Sequence, residues 1–301
     1  MKKVIGVGAC VLDTIIEMDS YPVEDAKIKV ENVFASGGGP VSNALVCLSK
    51  LGIETSYLGL LSNDSNGRYL FDEFRKYNVR TDNIRFVDNT KAFTSFIILN
   101  KEKGTRTCLF HRGNIKHDSS LVNLNAIKNY DILHLDGNAL EIAIEAAKVA
   151  KKAKILVSLD AGTLYPGIEE LLPYVDIFIA SENFAETYAK EKDIQKAIMA
   201  IQNAYHPKVL VVTTGKDGGY YVEKDKAIHY DSYKVDVVDS NGAGDIFHGA
   251  FLYAYLQKMN IKEACQFASA TSAIKCQKAG VRQALPTKEE VIEFMNKYKE
   301  I

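Results

Sequence analysis

A chain of 301 residues, 47% hydrophobic and 25% charged, has the make-up of a soluble globular protein, with length for one large core or two domains. Its formal net charge of -1 offers no long-range field to a polyanion, which argues against a nucleic-acid partner and for a small substrate. Five cysteines, Cys10, Cys47, Cys108, Cys265 and Cys276, show neither Cys-x-x-Cys nor zinc-finger spacing and read as reduced core thiols.

The amino-terminal residues imitate a signal peptide, with Lys2 and Lys3 ahead of an apolar run and Cys10 behind it. The run is shorter than the roughly 7–15 residues of an h-region, and Asp13 follows at once, so a first β-strand is expected over residues 4–7. No stretch approaches the roughly 18 apolar residues of a membrane span, so no membrane association and a cytoplasmic location are expected. Further short β-branched runs lie at 55–60, 132–135, 155–159, 177–180 and 209–213, and another apolar run at 235–238. Amphipathic helical patterns at 41–50, 67–77, 140–151 and 193–205 separate them, and three more, 244–257, 262–278 and 288–298, fill the carboxy-terminal third. Buried-type strands alternating with helices predict a mostly parallel sheet covered on both faces, a doubly wound α/β fold.

Period-two alternation over 27–34, 94–99 and 105–110, the last two flanking a turn at 101–104, breaks this rhythm. It predicts antiparallel strands of a small sheet beside the main one, inserted at about 14–37 and 91–112, which would serve as a lid or a dimer surface. The loop 279–286 is expected at the surface, either as a plain connector or as a wall for a nucleotide base.

Three glycine-bearing turns carry the chemistry. Asp239-Ser240-Asn241-Gly242-Ala243-Gly244-Asp245 opens a helix, with Asp239 or Ser240 as expected N-cap. A helix N-terminus with small residues lets backbone N–H groups close on a phosphate. A carboxylate at its rim, Asp245, suits a base that takes a proton from a hydroxyl attacking that phosphate, although a first-turn Asp is also ordinary helix chemistry. Ser36-Gly37-Gly38-Gly39-Pro40-Val41-Ser42-Asn43 allows close ligand approach, with Asn43 offering a donor and an acceptor; a flexible turn capped by Ser42 or Asn43 would read the same. Asp13, placed just after the first expected strand, could accept two hydroxyl hydrogen bonds or simply form a turn. Thr213-Thr214-Gly215-Lys216-Asp217-Gly218-Gly219 follows a strand and fits either phosphate contact or a hairpin turn. Walker A is absent, and Gly6-x-Gly8 lacks the third glycine of a dinucleotide fingerprint, which argues against a P-loop NTPase and a nicotinamide oxidoreductase.

Taken together, Asp239 to Phe251, the glycine turn with Asn43, Asp13, the two insertions and Thr213-x-Gly215-x-x-Gly218 resemble the ribokinase/PfkB-type carbohydrate kinases over the whole chain. The resemblance implies one kinase domain over 1–301, a three-layer α/β/α fold with a β-sheet lid, ATP and Mg²⁺ as cofactors, and a homodimer through the lid. It implies Asp245 as base, with Gly242, Ala243 and Gly244 as anion hole, and Asp13, Gly38, Gly39, Asn43 and Arg106 on the substrate. Thr213, Gly215, Gly218, Ala268, Ala273 and Gly280 would meet the nucleotide. Asp239 and Asn241 match positions near a monovalent-cation site of some members, which makes K⁺ an optional cofactor. The family's Mg²⁺-linked Asn-x-x-Glu appears literally as Asn183 to Glu186, although aligning the following helix puts Ser181 and Phe184 there, and Glu182 is a third candidate. Details around Asp13, the Gly-Pro turn and Ile274-Lys275-Cys276 resemble the ketohexokinase/fructokinase-like and sulfofructose-kinase-like members. The implied substrate is a ketose such as fructose; ribose, a sugar acid, a nucleoside, or a non-catalytic sugar or nucleotide sensor are the alternatives.

Overall fold

In the computed structural model, which describes residues 2–30, 32–102 and 105–299, the β-branched runs pair into two sheets. In chain order the elements are β1 (Lys3–Val7), β2 (Val11–Met18), β3 (Asn32–Gly38), α1 (Pro40–Lys50), β4 (Glu54–Ser62), α2 (Ser65–Lys76), β5 (Val79–Val87), β6 (Phe93–Asn100), β7 (Thr105–His111), β8 (Ile132–Leu135), α3 (Leu140–Lys152), β9 (Leu156–Ala161), β10 (Ile177–Ser181), α4 (Glu182–Ala189), α5 (Ile194–Tyr205), β11 (Val209–Thr213), β12 (Gly219–Glu223), β13 (Lys226–Tyr230), α6 (Ala243–Leu256), α7 (Ile261–Cys276) and α8 (Lys288–Lys299).

Nine strands form the large sheet in the order β13-β12-β11-β10-β9-β8-β1-β4-β5, parallel except where β12 runs antiparallel to β11 and β13. Its central strands are apolar on both sides because successive side chains enter different cores. Along β10, Ile177 and Ile179 join one core while Phe178 and Ala180 join the other; Val209 and Val211 against Leu210 and Val212 repeat this along β11. The first core also takes Leu45 of α1, Phe251 of α6 and Phe267 of α7, and the second takes Ile142 of α3, Phe184 of α4 and Ile198 of α5. The result is the expected three-layer α/β/α arrangement.

The small sheet has the order β3-β2-β6-β7. Register sets Asp13 opposite both Ser36 and Ser95, and Phe110 opposite Ser95. One face of this sheet, with Asp13, Ser95, Ile97, Cys108 and Phe110, looks onto a cleft against the large sheet, while Phe96 and Leu109 on the other face are exposed.

Several expectations are corrected. Asp13 lies inside a second strand rather than after the first, and β5, an edge strand of mixed burial, was not anticipated. The strand expected over 27–34 starts at Asn32, and of the turn expected at 101–104, residues 103 and 104 lie outside the described residues, as does 31. The apolar run 235–238 packs at the end of α7: the Val238 and Asp239 N–H groups donate to the Cys276 carbonyl at 2.8 and 3.1 Å, and Val237 and Val238 stay exposed. The loop 279–286 is not superficial, since Val281, Arg282, Ala284 and Leu285 are buried. Of the cysteines, Cys108 is exposed, because β7 is an edge strand of the small sheet.

Candidate active site

The first turn of α6 is a partition between two clefts. On one side, Asn241 and Asp245 line a cleft of ≈ 230 Å³ together with Asp13, Gly39, Asn43, Ser95, Arg112 and Asn138. On the other, Ser240, Ala243 and Gly244 line a cleft of ≈ 710 Å³ together with Thr213, Gly215, Lys216, Gly218 and Ala273. Open α/β sheets bind ligands beyond the carboxyl ends of their strands, and β8 and β11 of the large sheet lead into Asn138 and Thr213 here, while β2 of the small sheet adds Asp13 from the facing side.

The helix starts without a side-chain cap, which corrects the expected role of Asp239 or Ser240. Gly242 is the N-cap at φ 70, a conformation that favours glycine, and a Cβ there would lie 2.6 Å from Val281 Cγ1. The first intrahelical bond is Ile246 N–H to the Gly242 carbonyl at 3.0 Å, so the Gly244 and Asp245 N–H groups precede it, while Ala243 N–H donates to the Ser240 carbonyl at 3.3 Å. Free donors at a helix start, beside small residues, suit an anion in the larger cleft.

Asp245 is half-buried, and Asn43 Nδ2 donates to its Oδ2 at 2.8 Å. Burial, and then the negative charge of Asp160, raise its carboxyl above the ordinary range, while Asn43 opposes them. Asp160 is itself buried. Burial opposes its ionisation, but the His248 charge and hydrogen bond, with Nε2 to Oδ1 at 3.2 Å, prevail and hold it low. A carboxylate kept basic beside a fixed negative charge can accept a proton from a hydroxyl in the smaller cleft.

The smaller cleft has a dense polar floor. Ser95 Oγ donates to Asp13 Oδ1 at 2.5 Å, and burial pushes Asp13 up to about 6 against the pull of Ser95 and Arg282. Gly38 packs under this carboxylate so closely that a Cβ would fall 1.9 Å from Asp13 Oδ2. Asp136, at the end of β8, accepts from the N–H groups of Ala9, Val41 and Asn138 at 2.8, 3.2 and 2.9 Å and ties three walls together. Arg282 is buried beneath the glycine turn, its Nε donating to Asn43 Oδ1 at 3.0 Å. The Arg112 guanidinium lies over Phe93, Phe110 and Tyr165 and donates to Asn138 Oδ1 at 3.2 Å.

The profile of the pfkB family carbohydrate kinases matches residues 1–288. The chain belongs to this family. It is 27% identical to the Ribokinase of Haemophilus influenzae, over 98% of this chain and 99% of that one. It is 31% identical to the Arabidopsis thaliana protein named Probable fructokinase-6, chloroplastic, over 87% of this chain and 75% of that one. Among solved structures, the ribokinase of Arabidopsis thaliana complexed with ribose and ATP aligns with a TM-score of 0.84 at 25% identity, covering 98% of each chain. The protein is therefore a pfkB carbohydrate kinase, a phosphotransferase acting on a sugar alcohol group.

In this pfkB kinase, most residues named from sequence converge on the partition. Asp13, Gly39, Asn43, Asn241 and Asp245 share the smaller cleft, and Thr213, Gly215, Gly218, Ala243, Gly244 and Ala273 the larger. Others stand apart. Ala268 is fully buried within the core of α7, and the Gly280 N–H is spent on Asp239 Oδ2 at 3.0 Å, so neither lines the larger cleft. Arg106 is exposed on β7 and acts on Asp13 and Asp245 through its charge. Asn183 is exposed on α4, and the Glu186 carboxylate pairs with Lys192. Among the described residues, no group of three or more His, Cys, Asp or Glu lies together as an all-protein metal cage. The carbonyls of Asp239 and Asn241 converge on the ammonium of Lys275. Asp136 and Asp160 were within reach of sequence reasoning, since both sit at or just beyond the ends of expected strands. Ser95, Arg112, Tyr165 and Arg282 carried no signal as site residues, because only packing brings them in, and Lys275 entered the sequence reading only as part of Ile274-Lys275-Cys276.

Proposed function

We propose that the protein transfers the γ-phosphoryl group of ATP, taken up as its Mg²⁺ complex, to a hydroxyl of a ketose such as fructose. The carrying observation is the partition itself: Asp245 faces one cleft while Ala243 and Gly244, one turn of the same helix, face the other. A sugar held by Asp13, Asn43 and the Gly38-Gly39 backbone would present its hydroxyl to Asp245. Triphosphate lying along Thr213, Gly215 and Gly218 would bring its terminal phosphorus to the helix N-terminus from the opposite side. Asp245 accepts the hydroxyl proton, and the backbone N–H groups stabilise charge on the moving group, so positioning and electrostatics supply most of the rate. Lys216, in the larger cleft, adds a positive charge for phosphate.

The fructokinase-named relative supports the ketose, and the ribokinase relatives, which match over nearly the whole chain, support ribose as a second reading. An ADP-release screen over ketoses, ribose, sugar acids and nucleosides separates them, the acids testing the cation of Arg112. Asp245→Asn is the control: its rate should fall by about 10²–10⁴ with ATP binding little changed. Near-full activity in that variant overturns the role of Asp245, and sugar or ATP binding without any ADP release overturns the kinase reading for these substrates.

A further inference from the structure

Lys275 is a lysine with no exposed side chain, close to the end of α7, and its charge is spent wholly on the loop that precedes the anion hole. Its ammonium donates to the Asp239 carbonyl at 2.7 Å and to the Asn241 carbonyl, and stands 3.6 Å from Asp239 Oδ2. The Asp239 carboxylate is committed as well, accepting Asn241 N–H at 2.8 Å and Gly280 N–H at 3.0 Å. Two carbonyls and a carboxylate turned toward one buried point repel each other unless a cation lies among them. Lys275 is that cation.

Its position has a consequence for the hole. In a planar trans peptide the C=O and the following N–H point in opposite directions, so a carbonyl held on Lys275 turns the next N–H away from it. The Asn241 carbonyl thereby aims Gly242 N–H, and the Asp239 carbonyl aims Ser240 N–H, away from the lysine. Both residues lie just ahead of the Gly244 and Asp245 donors of α6.

We infer that Lys275 is a positioning residue that serves as a built-in monovalent cation for the anion-hole loop, in the place that K⁺ was expected to take beside Asp239 and Asn241. An ammonium and a potassium ion are close in size and favour the same oxygen donors, and both cannot occupy one site. The enzyme therefore works without added monovalent cation.

The inference rests on the kinase reading, and the test separates the two. ADP release on the best sugar is measured with K⁺ replaced by choline at constant ionic strength, for the unaltered enzyme, Lys275→Ala and Lys275→Arg. The unaltered enzyme should be indifferent to K⁺. Lys275→Ala should lose about 10²-fold in kcat, with a smaller change in ATP KM, and recover most of it in K⁺ or methylammonium but not in choline. Lys275→Arg should remain indifferent to K⁺. Melting temperature reads the same site without turnover: K⁺ or methylammonium should raise that of Lys275→Ala and leave the unaltered enzyme's unchanged. Severalfold activation of the unaltered enzyme by K⁺ overturns the inference even if Lys275→Ala is insoluble. A soluble Lys275→Ala that neither cation rescues overturns it as well. Absence of turnover on every sugar counts against the kinase reading alone, and the melting series then decides Lys275.

Discussion

Asp13 shows what the site costs. Its carboxyl, pushed up to about 6 by burial, stands above the value of about 3.9 expected in the unfolded chain. The folded state therefore binds more protons between those values, and stability falls as pH rises through that window. Asp13→Asn should keep an acceptor for Ser95 and remove the buried charge. At neutral pH it should unfold about 1–3 kcal/mol later in a denaturant titration, the gain shrinking toward pH 4, while its KM for sugar rises. An unstabilised variant at neutral pH would show that the Arg282 charge offsets the burial of Asp13. In the parent enzyme, kcat/KM should decline on the acid side near pH 6, as Asp13 gains its proton and loses an acceptor.

Among elements, the three glycine turns were visible in the chain, but what each glycine is for was not. Gly242 serves a left-handed N-cap, whereas Gly38 is needed because Asp13 lies where a side chain would be. Gly38→Ala should displace Asp13 and raise the sugar KM about tenfold or more with ATP KM little changed; steady-state kinetics with each substrate varied checks this, and equal changes in both would point to general damage. The strands at 132–135, 177–180 and 209–213 were legible because apolar runs buried on both faces leave little choice of element. β5 was missed because its burial is mixed, and α4 because it is short and buries only Phe184 and Ala185. The apolar run at 235–238 joins neither sheet, since its backbone pairs with the end of α7.

For the whole molecule, the small sheet offers a surface for assembly. Its outer face carries Phe96 opposite Leu109, 50% and 56% exposed, with Val33 at 55% on the same sheet, a patch that solvent alone covers poorly. We propose that a second copy of the chain covers this face. Sedimentation should report a dimer, and Phe96→Asp with Leu109→Asp should shift it to monomer; a monomer in the parent protein would remove the proposal. No helix of the described residues is long and apolar enough to cross a membrane.

The sequence by itself determined the layered α/β fold, because burial patterns are local signals that survive in one dimension, and the glycine turns taken together with Asp13 carried the resemblance that implied the reaction class. The base proposed here, Asp245, could be singled out from sequence because it lies next in the chain to the Gly242-Ala243-Gly244 turn. The tertiary structure alone decided what surrounds that turn. Asn43 is 202 residues from Asp245, Arg282 is 239 from Asn43 and Lys275 is 34 from Asn241, and no periodicity or motif links such pairs. Their meeting depends on how α1, α6, α7 and the loop beyond stack on one face of the sheet. There a lysine that reads as one more helical charge becomes the cation beneath the anion hole.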